Sequence, residues 1–188
     1  MSVVNRDGRT WTIGTQAEVE WINLFTATDL TINSAIPPGF DAYATVVIPK
    51  TRDDQMRHDR AVIAVLEKQS PDQQWWLGYL DTGSDDIVFP HAPRVTMYPG
   101  WSYVLVKAGP TQAATWRNFG KSRWGRLPNL MFPTDESWLV STLWDDDWTC
   151  VGGPVGLIDS FLNHPDLQSR VRRVTLDEDA TPPGHKAI

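Results

Sequence analysis

The fold of this chain is decided by its central segment, Arg94-Val-Thr-Met-Tyr-Pro-Gly-Trp-Ser-Tyr-Val-Leu-Val106. Two runs rich in β-branched and aromatic residues, 94–98 and 101–106, flank the dipeptide Pro99-Gly100, a two-residue connection that is typical of a β-hairpin. Large apolar residues occupy both faces of the run 101–106, which favours a central strand covered on each side. The segment therefore predicts a hairpin in the middle of a sheet.

Strand and helix patterns continue on both sides of this hairpin. The sequence predicts an N-terminal hairpin within 1–14 and further strands at 30–33, 43–48, 75–80, 87–89, 137–144, 148–151 and 171–174. Helices are predicted from a capping box at Thr15–Glu18 to Phe25, over 51–68, and from Pro154 to Asn163. This order predicts an α+β fold: one largely antiparallel, or mixed, sheet with two to three helices packed on it.

The boundaries of the domain and the buried faces of the helices also follow from the sequence. Residues 1–176 are predicted to form a single globular domain, and 177–188 a flexible polar tail. Residues 109–129 are predicted to be a long surface excursion. The expected buried faces carry Val19, Ile22 and Phe25, with Leu24 alongside, in the first helix and Val155, Ile158, Phe161 and Leu162 in the last.

The composition favours a cytoplasmic protein without a cofactor. The 188 residues carry a net charge of −6, which argues against a dedicated nucleic-acid binder because phosphate contacts need a dominant basic face. Cys150 is the single cysteine, and the four histidines lack metal-ligand spacing. No apolar run approaches 18 residues, and the N-terminus has no apolar leader, so neither a membrane segment nor a signal peptide is expected.

Two of the ten tryptophans flank an acidic turn. With Asp145–Asp147 as a three-residue loop, Trp144 and Trp148 pair across a hairpin, and Thr142 and Cys150 form the next pair. Trp concentrates in cores and at recognition surfaces. The turn has two interpretations: a solvated loop, or a site for a metal ion or a cationic partner whose ligands are Asp145, Asp146 and Asp147. The spacing does not match a calcium loop.

A basic, aromatic segment lies within the surface excursion. No acidic residue occurs between Ala108 and Thr134, and Lys107 precedes a cluster made of Trp116, Arg117, Phe119, Lys121, Arg123, Trp124 and Arg126. This composition is typical of a surface that binds anions or single strands. The alternative is a solvated loop whose aromatic side chains pack on the sheet. An acidic protein or a small anionic ligand is a better candidate partner than nucleic acid, given the acidic total.

Known catalytic signatures are missing from the sequence. Gly152-Gly153-Pro154 precedes a predicted helix, but it belongs to neither a dinucleotide-binding fingerprint nor a P-loop, so a tight turn is favoured over an anion site. Cys150 is expected to be a buried thiol. No nucleophile elbow and no zinc-protease motif occur, and no catalytic residue is assigned.

A wider pattern links several of these segments. It comprises Tyr103-Val-Leu-Val-Lys-Ala-Gly-Pro110, Asn129-Leu-Met-Phe-Pro-Thr-Asp-Glu-Ser-Trp138, the acidic turn and Val151-Gly-Gly153. Leu157-Ile158 and the upstream segment Phe40–Pro49 belong to the same pattern, which covers about half of the chain. In this pattern the sequence resembles a group of uncharacterised, mainly actinobacterial proteins. The group has no assigned activity, so the resemblance implies no catalytic residue.

Three functional hypotheses follow. The first is a non-catalytic binding or protein-interaction module, similar in size and charge to proteins that neutralise toxins. Its binding residues would be Trp144, Trp148, Trp116, Trp124, Arg117, Arg123 and Arg126. The alternative is a metal-dependent hydrolase acting on a phosphate-bearing small molecule, with the divalent ion on the acidic turn. The third is a purely structural subunit joined through a sheet edge. The sequence does not indicate the oligomeric state.

Overall fold

The computed structural model describes residues 2–4, 10–82, 89, 91–98, 100–115, 127–143 and 147–180. In this part of the chain, ten strands form one antiparallel sheet that is accompanied by four α-helices. The α+β prediction is confirmed. The helices are α1 (Glu20–Phe25), α2 (Arg52–Gln69), α3 (Pro110–Thr115) and α4 (Val155–Asn163).

The strands follow one another across the sheet in a non-sequential order. They are β1 (Ser2–Val4), β2 (Thr10–Ile13), β3 (Ala42–Val47), β4 (Trp75–Leu80), β5 (Val95–Met97), β6 (Trp101–Ala108), β7 (Leu130–Pro133), β8 (Leu139–Ser141), β9 (Trp148–Gly153) and β10 (Val171–Val174). The order is β1-β2-β6-β4-β7-β8-β9-β3-β10, and β5 pairs with β6 beside this path.

Strand β6 has the central position that its sequence predicts. It pairs with β4 along one side. Along the other side it pairs first with β5, through Val95 and Tyr103, and then with β2, through Thr12 and Lys107. Residues 103–106 are all fully buried. The hairpin β5–β6 is confirmed, and so is the hairpin β1–β2.

The two faces of the sheet carry different helices. On the long-helix face, alternate strand residues pack against α2 and α4 in a core that contains Ala61, Val62, Leu66, Leu157, Ile158 and Phe161. On the short-helix face, the opposite set of strand residues packs against α1 and two 3₁₀ helices, Gln16–Val19 and Ile32–Ser34. Val19, Ile22 and Ile32 are fully buried there.

The first helical segment begins as predicted and ends differently. The Glu18 carboxylate accepts hydrogen bonds from the main-chain N–H of Thr15 at 2.6 Å and from its hydroxyl at 2.7 Å, as in a capping box. The prediction that Phe25 lies on the buried face is wrong, because Phe25 is 58% exposed and Leu24 is 68% exposed. Helix α1 has only six residues, and its last turn lies outside the core.

Three other local predictions are corrected by the structure, and one strand was not predicted. Residues 30–33 do not form a strand, since Thr31 makes a single β-bridge to Asp179 and a 3₁₀ helix follows. Residues 177–180, predicted to be tail, pair with this segment, and Ala180 is buried. The sequence analysis missed β7, a four-residue strand that ends in a proline. In α4, Leu157 is buried in place of Val155, which is 47% exposed.

Candidate functional site

The register of the β8–β9 hairpin differs by one residue from the prediction. Ser141 pairs with Cys150, and the hydroxyl oxygens of Thr142 and Thr149 lie 2.8 Å apart. The predicted pair Thr142–Cys150 is therefore wrong, and the predicted pair Trp144–Trp148 includes a residue outside the described part of the chain.

Trp148 is a core residue. Its side chain is 1% exposed and packs within the short-helix core, so it presents no surface to a partner. Asp147 is exposed, and its main-chain oxygen accepts a hydrogen bond of 2.7 Å from Ile48. Trp144, Asp145 and Asp146 lie outside the described residues. Among the residues that are described, no group of three His, Cys, Asp or Glu side chains is placed to hold a metal ion.

The basic segment falls almost entirely outside the described residues. This applies to Trp116, Arg117, Arg123, Trp124 and Arg126, whose proposed binding role stays a prediction. Lys107 is described: its ammonium group lies 5.3 Å from the centre of the Trp76 ring, which is a cation–π distance.

The residues that carry the family resemblance have structural roles. The Trp138 indole donates a hydrogen bond of 2.7 Å to the Ser70 hydroxyl and packs edge-to-face on Trp75, with ring centres 5.0 Å apart. Asp135 accepts hydrogen bonds from the Ser137 N–H at 3.1 Å and from the Gln73 amide at 2.8 Å. These contacts fix the β7–β8 connection against the end of α2 and the start of β4.

The two glycines of the pattern allow close packing. A Cβ atom on Gly152 would lie 2.5 Å from Phe40 and 2.8 Å from Ile36. A Cβ atom on Gly153 would lie 2.8 Å from the Leu157 side chain. Strand β9 ends at Gly153, and α4 starts after Pro154, so the prediction of a tight strand-to-helix turn is confirmed.

A buried histidine lies on the long-helix face. His58 is 3% exposed, and its Nδ1 is 3.1 Å from a guanidinium nitrogen of Arg170. A guanidinium only donates, so Nδ1 accepts and the neutral imidazole carries its proton on Nε2. Burial, and to a lesser degree the Arg170 charge, lowers the pKa of His58 to about 4. Arg170 also donates to the main-chain oxygen of Val47 at 3.1 Å and so ties α2 to β3.

A small cavity adjoins His58. The hydroxyl-bearing residues Thr142 and Thr149 line it, together with apolar side chains from the sheet, α2, α4 and the segment 127–128. Its volume is about 10 Å³, which is room for roughly one water molecule. Among the described residues, this space is too small for an organic substrate.

A second buried polar group lies on the short-helix face. The hydroxyls of Tyr98 and Ser141 are 2.7 Å apart, and the Tyr98 hydroxyl also donates to the Ala35 carbonyl at 3.3 Å. Burial raises the pKa of Tyr98 well above its usual range, so the phenol stays protonated. The neighbouring Cys150 is fully buried, as expected. This group joins the β5–β6 hairpin, the sheet and the segment after the second 3₁₀ helix.

Three exposed apolar side chains lie close together in sequence on the short-helix face. Leu24, Phe25 and Leu30, here called the 24–30 patch, are 68%, 58% and 64% exposed. The chain between them folds back, because the N–H of Ala27 donates to the carbonyl of Asn33 at 3.1 Å. The sequence analysis missed this surface. The available signal was a pair of adjacent apolar residues ending a short helix, followed by a leucine in a polar loop.

Amide side chains hold α1 in place beside the patch. Gln16 and Thr96 exchange two hydrogen bonds, of 2.8 and 2.9 Å. The Asn23 side chain donates to the Thr96 carbonyl at 2.8 Å and accepts from the N–H of Tyr98 at 2.9 Å. Side-chain amides thus bond to the outer edge of β5 in the way that a neighbouring strand would. The helix that carries Leu24 and Phe25 is firmly attached to the sheet.

None of the described helices is long and apolar enough to cross a membrane.

The chain was compared with protein families, curated proteins and solved structures. No protein-family model, no curated protein and no solved structure matches the chain.

Proposed function

We propose that this protein is a non-catalytic protein-interaction module and that the 24–30 patch is its partner-binding surface. The observation that carries the proposal is the exposure of Leu24, Phe25 and Leu30 within seven residues. Exposed apolar side chains that are scattered singly are ordinary, whereas contiguous exposed apolar surface marks interaction sites. Leu24 and Phe25 are adjacent at the end of α1, and Leu30 follows in the next loop. Burying such side chains against a partner removes apolar area from water, which favours association.

The attachment of α1 supports the same proposal. Association loses free energy when loops and side chains must be ordered on binding. Here the bonds from Gln16 and Asn23 to Thr96 fix the helix before any partner arrives. The loop that carries Leu30 is also fixed, because the Leu30 carbonyl accepts a hydrogen bond of 2.8 Å from the N–H of Ala180. The patch is therefore preorganised.

The proposal keeps part of the earlier set of binding residues. Trp148 is removed from it, because its side chain is buried. Trp144 and the basic segment with Arg123 and Arg126 remain candidates for a second contact surface. Neutralisation of a toxin is one way in which such a module could act.

Site-specific photo-crosslinking tests the proposal. A benzoylphenylalanine in place of Phe25 is expected to capture one defined protein in cells of the natural host. The matched control places the same group at Val155, which is also exposed but lies on α4 across the sheet. No crosslinked protein at position 25, or the same proteins at both positions, would contradict the proposal.

Binding measurements with the captured partner complete the test. The triple variant Leu24→Ser/Phe25→Ser/Leu30→Ser is expected to weaken the affinity at least tenfold, since a few buried apolar anchors carry most of an interface. The control variant Met56→Gln/Val155→Ser removes exposed apolar side chains elsewhere and is expected to leave the affinity unchanged. Equal affinities for both variants would place the interface on another surface.

A further inference from the structure

The stretch of sequence that contains the 24–30 patch carries negative charges and no positive ones. Between Thr10 and Pro49 the sequence has four carboxylates, and it has no lysine, arginine or histidine. The carboxylates belong to Glu18, Glu20, Asp29 and Asp41. Glu20 is exposed and lies one helical turn before Leu24, and Asp29 directly precedes Leu30, so two of the four flank the patch.

The C-terminal described segment adds further carboxylates beside Leu30. The N–H of Ile32 donates to the Glu178 carbonyl at 2.9 Å, and Thr31 forms a β-bridge with Asp179. Asp177 and Asp179 are thereby brought next to the loop that carries Leu30. The arginines that precede this segment form salt bridges of 2.6 Å, Arg172 with Glu178 and Arg173 with Asp159.

Three of these carboxylates have no salt-bridge partner among the described residues. Glu20, Asp29 and Asp177 form no salt bridge there. Hydrogen bonds from the Thr31 hydroxyl and N–H lower the pKa of Asp29. A bond from the Thr175 hydroxyl does the same for Asp177. These three residues are here called the acidic rim.

We infer that the partner presents a cationic amphipathic segment: apolar side chains that contact the 24–30 patch, flanked by lysine or arginine that meets the acidic rim. This inference rests on the proposed function. Complementary charge around an apolar centre speeds association and selects the partner. Phosphate-rich partners are disfavoured, because the acidic rim repels both nucleic acid and anionic lipid surfaces.

A pair of synthetic peptides serves as the probe. One is a labelled 15-residue amphipathic helix of leucine and lysine, and the other replaces every lysine with glutamate while keeping the apolar face. We expect the lysine peptide to bind with saturation and at least tenfold more tightly than the glutamate peptide in fluorescence anisotropy. We also expect its affinity to fall as NaCl is raised from about 20 to about 300 mM, because added salt screens the attraction between the lysines and the carboxylates.

Two matched variants separate the specific surface from the net charge. Glu20→Gln/Asp29→Asn/Asp177→Asn neutralises the acidic rim and is expected to weaken the lysine peptide at least fivefold. Asparagine still accepts the bonds from Thr31 and Thr175, so the fold is retained. Asp53→Asn/Glu67→Gln/Asp166→Asn removes the same charge from exposed positions elsewhere and is expected to have no effect. Equal loss in both variants overturns the inference.

Other outcomes are equally decisive. Equal affinity for the two peptides, no binding of the lysine peptide, or stronger binding to phosphatidylglycerol vesicles than to the peptide overturns the inference. Lysine-peptide binding that survives Leu24→Ser/Phe25→Ser/Leu30→Ser also overturns it. A protein crosslinked at position 25 whose contacting segment is neutral or acidic overturns the inference and leaves the proposed function standing. An absence of any crosslinked protein removes the proposed function itself.

Discussion

The guanidinium of Arg170 donates to Nδ1 of His58 across 3.1 Å, although 112 residues separate the two side chains in sequence. Burial holds the imidazole neutral, and the Arg170 charge adds to this effect. A proton on Nδ1 would both remove the acceptor and bring two cations together. Burial lowers the pKa of Arg170 below its ordinary value. The Asp54 and Asp166 carboxylates raise this pKa, but by less than burial lowers it.

The burial of neutral His58 predicts acid-sensitive stability. The pKa of His58 is about 4 in the folded protein, whereas the ordinary value for histidine is 6.5. His58 therefore binds a proton more readily in the unfolded chain. The stability contributed by neutral His58 is therefore complete above pH 6.5 and is lost as the pH falls to 4. The loss is on the order of 2–3 kcal/mol. Urea unfolding at several pH values measures it.

The variant His58→Gln is the control for this loss. Glutamine keeps an acceptor for Arg170 but does not titrate. The free energy of unfolding of the variant is expected to change less than that of the parent between pH 6.5 and 4. Parallel pH profiles of the two proteins would show that His58 is not the source.

The close approach at Gly152 predicts a clash on adding one methyl group. Gly152→Ala is expected to lower the free energy of unfolding by about 1–3 kcal/mol, because its Cβ would meet Phe40 and Ile36 within 3 Å. Gly156→Ala in α4 is the matched control, since nothing lies within 4 Å of its Cβ. It is expected to be neutral or to stabilise by up to about 1 kcal/mol. Thermal and urea unfolding compare the two, and equal effects would refute the packing argument.

The burial of Trp148 predicts a loss of stability on truncation. Trp148→Ala is expected to cost about 3–5 kcal/mol, which is typical of an aromatic side chain removed from a core. Phe25→Ser, at an exposed position, is expected to stay within about 0.5 kcal/mol of the parent. Chemical denaturation of both variants checks the contrast. A Trp148→Ala protein of parental stability would contradict the core position.

The metal-dependent alternative predicts a stabilising ion. If a divalent cation binds the acidic turn, 5 mM Mg²⁺ or Mn²⁺ raises the Tm by mass action, and Asp145→Asn/Asp147→Asn abolishes the rise. The interaction proposal predicts no rise in either protein. Differential scanning calorimetry with and without EDTA decides between them, and a rise confined to the parent would favour the phosphate-directed hydrolase.

The sequence predicted those elements whose patterns are local. The hairpin around β6, the helix α2, and the turn before α4 all follow from periodicity and turn chemistry. The register of β8 and β9 did not follow, because it depends on the length of a connection whose turn type the residues do not fix. Strand β7 was missed because four residues ending in a proline carry too short a pattern.

The candidate surface was harder to predict for a different reason. Periodicity correctly placed Val19 and Ile22 in the core, and the same spacing extended to Phe25. Whether the last turn of a short helix lies over the sheet depends on the position of the helix, which is set by bonds from Gln16 and Asn23 to the distant β5. Apolar residues that face a partner and those that face a core look alike in a sequence.

The hydrogen bonds from Gln16 and Asn23 attach the first helical segment to the edge of β5. Other side chains of the same segment form the proposed binding surface. The residues that attach α1 to the sheet are different from those that it displays. Substitutions at positions 24, 25 and 30 can therefore accumulate without loosening the scaffold. Related chains could diverge in which partner they recognise while keeping the same architecture, and the first signs of such divergence belong at these three positions.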